Sequence, residues 1–126
     1  MLLNRIKKKR PNFFLKGIKP SMETTEFIEP WFPIEEYPES NKGAMEEEAE
    51  KEIATGHPLY GKKLHAIARR EDKDDVLFRV GTQDKVAVLH LTWSGHAEAE
   101  GYPCTAIYES LSMFISTRMK EDVESY

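Results

Sequence analysis

The sequence predicts an α+β domain: a three-stranded antiparallel meander packed on one face by two helices and preceded by an extended segment. Residues 63–70, 76–80 and 85–93 alternate apolar and polar side chains at the strand period, with loops of four or five residues between them. Connections this short join antiparallel neighbours, because a parallel crossover needs about a dozen residues. Residues 44–55 and 105–119 instead carry apolar side chains at helical spacing. A length of 126 residues, 40% hydrophobic and 32% charged, suits one small domain with a modest core.

Residues 1–20 hold seven basic side chains, including Lys7-Lys8-Lys9-Arg10, and no acid, for a charge of +7. Closely spaced positive charge suffices for phosphate contacts, so nucleic acid has a route to this chain only through this arm. Like charges repel, and Pro11 interrupts any helix, so a solvated, disordered arm is expected. Residues 21–56 carry −9 and residues 57–126 carry −2, which leaves −4 overall.

Residues 21–43 contain Pro20's successors Pro30, Pro33 and Pro38 among Phe27, Trp31, Phe32 and Tyr37. Prolines at this density exclude a helix, so the segment reads as extended, with its rings lying on the domain of residues 44–126. In the AMEEEAEKEIAT run at 44–55, Met45, Ala49 and Ile53 form a narrow apolar stripe, and Gly56-His57-Pro58 ends the helix. The three strands follow. Thr105 is placed to cap the closing helix, in which Ile107, Leu111, Phe114, Ile115 and Met119 follow the helical period.

Strict alternation sorts the meander into two faces. Leu64, Ala66, Ala68, Val76, Phe78, Val80, Ala87, Leu89, Leu91 and Trp93 make an apolar face for the helices. The opposite face holds His65, Arg69, Arg79, His90 and Thr92 between aliphatic residues, and such a surface suits a carboxylate, a phosphate or an acidic protein partner. Ordinary solvation of an open sheet face explains the same pattern. A third arrangement lays the 23–39 segment over this face, with Trp31 or Phe32 against Ile67, Leu77 and Val88.

The chain has one cysteine, Cys104, so no internal disulfide forms, and its longest apolar run is the strand-sized Val86–Leu89. A cytoplasmic protein without a membrane partner is expected. Histidine and cysteine spacings match no zinc signature, and the chain lacks a glycine-rich phosphate loop, a dinucleotide fingerprint, a GxSxG elbow and an HExxH pair. No catalytic residue, metal or cofactor is therefore assigned.

The strings HPLYG at 57–61, RRED at 69–72, DDVLF at 74–78 and HLTW at 90–93 resemble a family of small uncharacterised bacterial proteins. The likeness spans about residues 56–95 and implies a bacterial origin and a self-contained α+β unit, but brings no activity, ligand or site residue. The expected function is a non-enzymatic protein-interaction module that binds an unidentified protein through His65, Arg69, Arg79, His90 and Thr92, or through the segment around Trp31. The alternative is a small-ligand binder or enzyme with a polar site near His90, His96 and Cys104.

Overall fold

A computed structural model describes residues 27–99 and 101–126. The basic arm of residues 1–20 lies outside them. The fold is α+β with an antiparallel sheet, but the sheet has five strands in the order β1-β2-β3-β4-β5. The predicted meander forms its centre as β2 (Leu64–Arg70), β3 (Asp75–Val80) and β4 (Val86–His90).

Two strands correct the three-stranded expectation. Trp31–Pro33 forms β1 along the outer end of β2, with Trp31 opposite Arg70 and Pro33 opposite Ala68. Thr105–Tyr108 forms β5 beside β4. The TAIY sequence of β5 has the β-branched and aromatic character of a strand, and the match of Ile107 to a helical period was fortuitous. The closing helix begins later, where the Ser110 Oγ accepts the Met113 N–H at 3.1 Å. It runs as α2 (Leu111–Phe114), a π-helical turn (Ile115–Met119) and α3 (Lys120–Ser125). The wider turn brings Met119, five residues on, into the buried cluster of Phe114, while Arg118 is left at its flank.

The first helix, α1 (Glu39–Glu52), starts directly after Pro38 and five residues before the predicted Ala44. Proline is acceptable ahead of a first turn, whose N–H groups lack helical partners anyway. Ile53 is already extended.

The helices lie on opposite faces of the sheet, which corrects the expectation that both cover one face. Met45, Ala49 and Ile53 from the α1 region pack with Leu64, Ala66, Val76, Phe78, Ala87 and Leu89. Phe114 and Met119 of the C-terminal helix pack with Trp31, Ala68, Leu77, Val86 and Val88 on the other side. Ala66 and Ala68 thus belong to different cores. A bulge between them makes this switch: Ala66 pairs with Phe78 and Ala68 with Leu77, so Ile67 is the extra residue and the alternation reverses. Trp31 joins the cluster that holds Leu77 and Val88 with Ile67 against it, but the segment that carries it forms an edge strand, and the C-terminal helix covers the face that the third arrangement gave to that segment.

Among the described residues no helix is long and apolar enough to cross a membrane.

Candidate functional site

Two polar constructions meet near the β4–β5 connection, one on each side of the sheet. The first lies under the C-terminal helix. Asp75 at the start of β3 accepts from His90 Nδ1 at 2.7 Å and from an Arg118 terminal nitrogen at 3.0 Å. Arg118 Nε also donates to Asp122 at 2.9 Å, and Tyr108 hydrogen-bonds the same guanidinium. Asp122 further receives Trp31 Nε1 at 2.8 Å and Arg70 at 3.3 Å, while Arg70 forks onto Asp72 with two contacts of 2.9 Å. Arg70, Asp75 and Asp122 are buried, and each charge faces an opposite one, which is the condition under which such groups leave water.

The second construction fastens the loop after β4 to α1. Glu48 and Glu52, one helical turn apart, are buried and hydrogen-bond each other. Glu52 accepts the Thr92 N–H at 3.0 Å and the Trp93 N–H at 2.6 Å. Glu48 accepts the Gly95 N–H at 2.8 Å, and the Glu98 N–H reaches the Glu52 carbonyl at 3.0 Å. Burial and the neighbouring Glu48 carboxylate push the Glu52 carboxyl above its ordinary value, whereas the hydrogen bond from Glu52 holds Glu48 below it. The opposed shifts follow from placing two carboxyl groups side by side, where both cannot ionise without repulsion.

This fastening holds Trp93 at φ +60°, and Trp93 is the one non-glycine residue with positive φ among the described residues. A bulky residue in that region costs about 1–3 kcal/mol and persists only when its surroundings over-determine it. Three backbone hydrogen bonds from consecutive parts of the loop to Glu48 and Glu52 do so here. The indole is nevertheless 46% exposed, and Tyr102, on the same connection, is 51% exposed.

The structure scatters the residues expected to form one surface. His65 and Arg79 stand opposite each other and half-buried on the C-terminal-helix side of the sheet. His90 shares that side, its ring half-exposed and held by Asp75. The bulge turns Arg69 to the α1 side, where its guanidinium lies 5.1 Å from the Tyr37 ring centre. Thr92 belongs to the Glu52 fastening, and its hydroxyl donates to Glu98. Trp31 is wholly buried, packed edge-on against Phe114 at 5.2 Å. Trp93, expected in the core, lies at the surface instead.

Of the alternative set, His96 bonds Ser94 and the Ala97 carbonyl within its own loop. Cys104 is exposed and sits directly across from His90, whose N–H donates to the Cys104 carbonyl at 3.0 Å. Asp75 pairs with His90 across β3 and β4 and holds its ring, and Cys104 lies beside the His90 backbone just before β5 begins. Among the described residues no group of three or more histidine, cysteine, aspartate or glutamate side chains is placed to hold a metal ion.

Sequence reasoning gave no site role to Glu48 or Glu52. The available signal was the narrow Met45/Ala49/Ile53 stripe: a helix facing a sheet buries a band wider than one row, so positions 48 and 52 fall at its edge. The four strings that carry the family resemblance map onto contacts that hold the fold. His57 Nε2 lies 2.9 Å from Thr105 Oγ1 and its Nδ1 accepts the Leu59 N–H at 3.0 Å, while Leu59 enters the core. Comparison with protein-family models, curated proteins and solved structures gives no match.

Proposed function

We propose that the chain is a cytoplasmic bacterial protein-interaction module that acts without catalysis, and that Trp93 is its principal contact residue. One observation carries the reading: an exposed tryptophan is held in a costly backbone conformation by two buried carboxyl groups. Interface energy concentrates in a few tryptophan, tyrosine and arginine side chains, and pre-ordering such an anchor lowers the entropy cost of binding. Tyr102 is also exposed on the same connection, and the half-exposed His90 ends the strand from which that connection starts. The proposed surface thus moves from an open sheet face to the β4–β5 connection, because the C-terminal helix covers that face.

Affinity capture from the host lysate with wild type and Trp93→Ala tests the reading. A stoichiometric protein retained by wild type and lost by the variant supports it. Equal retention by both, or no retained protein, overturns it.

A second reading, a small-ligand binder or enzyme using Cys104, is favoured by the Asp75–His90 contact beside Cys104. In this reading Asp75 holds the imidazole through Nδ1, and Nε2 is the base for the thiol of the neighbouring Cys104. Thiol alkylation near neutral pH is then about tenfold slower in His90→Gln than in wild type. Equal rates remove this reading.

A further inference from the structure

We propose that the outer edge of β5 pairs with β5 of a second copy of this chain, joining two sheets into one. The inference rests on the hydrogen-bonding geometry of the edge and is independent of the reading of Trp93. His90 N–H donates to the Cys104 carbonyl, so residues 104, 106 and 108 turn their backbone groups toward β4. The N–H and C=O groups of Thr105 and Ile107 therefore point away from the sheet. Among the described residues no backbone hydrogen bond reaches them.

Natural sheet edges are normally protected by proline, lysine, a bulge or a covering element. The opposite edge strand, β1, is three residues long and contains Pro33. The Thr105-Ala106-Ile107-Tyr108 edge has no proline, no charge and no bulge, and Ile107 is 42% exposed. Unpaired donors and acceptors in this geometry call for another extended backbone.

A second copy supplies one with self-complementary chemistry. Antiparallel pairing about Ala106 sets Thr105 against the partner's Ile107, and Ile107 against the partner's Thr105. These two pairs form about four backbone hydrogen bonds. Alanine meets alanine at the two-fold axis, where strands approach most closely, and no like charges oppose each other. Such an isologous contact closes as a dimer and leaves no further edge of the same kind to extend a fibre.

The test is sedimentation equilibrium from about 10 μM to 1 mM, a range that covers weak and moderate association. Ile107→Pro is the informative variant, because the N–H it removes faces outward and the β4–β5 ladder is untouched. Wild type is expected to follow a monomer–dimer equilibrium, with Ile107→Pro raising the dissociation constant about tenfold or more at an unchanged far-UV spectrum. If that variant does not fold, Ile107→Lys decides, since it keeps the N–H and places a charge at the joined edge. A monomeric wild type throughout the range, or a dimer that the folded variant leaves intact, overturns the proposal.

Discussion

The indole N–H of Trp31 on the first strand donates to the Asp122 carboxylate on the last helix at 2.8 Å, with both residues buried. This contact ties the N-terminal edge of the sheet to the helix that covers it. The same carboxylate meets Arg118 and Arg70, so one side chain satisfies three donors from three elements.

Asp122→Ala should destabilise the fold by about 3–5 kcal/mol, the cost of leaving buried charges unpaired. Asp122→Asn keeps one acceptor and should cost less. Urea denaturation of both variants measures the difference, and a loss below about 1 kcal/mol for alanine would show that the network is open to water.

Trp93→Gly should leave stability within about 1 kcal/mol of wild type, because glycine accepts positive φ without strain while little packing is lost from an indole 46% exposed. Partner capture should nevertheless disappear. A large fall in melting temperature would identify the indole as a packing element of the fold.

Glu52→Ala should cost about 2–3 kcal/mol, because the Thr92 and Trp93 N–H groups lose their acceptor and the wholly buried site is left empty. Its readout extends beyond stability: hydrogen exchange at residues 92–95 should accelerate while the strands stay protected.

The same pair imposes a pH dependence. The Glu52 carboxyl is raised above 4.5, so the folded state holds its proton more tightly than the unfolded chain. That contribution is complete below 4.5 and is lost as pH rises through the raised value. Glu48, lowered from 4.5, contributes with the opposite sign: its stabilisation is present above that value and lost as pH falls. Glu52→Gln mimics the protonated form and should abolish the decline on the alkaline side. Urea midpoints that fall equally with pH in wild type and variant would remove Glu52 as the cause.

The candidate site was only partly legible before folding. His90 was singled out as a polar residue within a strand running to position 93, and it stands at the end of a shorter one. Its Asp75 partner was read as a member of a turn, since nothing local distinguishes it from Asp74. Trp93 was assigned to the core because strict alternation was carried past His90, where the strand ends and Glu52 takes over the backbone donors.

Local pattern alone determined the hairpins β2–β3 and β3–β4, the existence of α1 and the apolar stripe it buries. Each depends on residues within a few positions of one another, where propensity, turn length and period act directly. Only tertiary structure decided that 105–108 is a strand, that the helices divide between two faces, and which glutamates are buried. A bulge at Ile67 reverses every later side chain of β2, and its cost is repaid by partners elsewhere: Leu77 for Ala68, Tyr37 for Arg69, Asp122 for Arg70. Register and desolvation are set between segments distant in the chain, so no local window contains them.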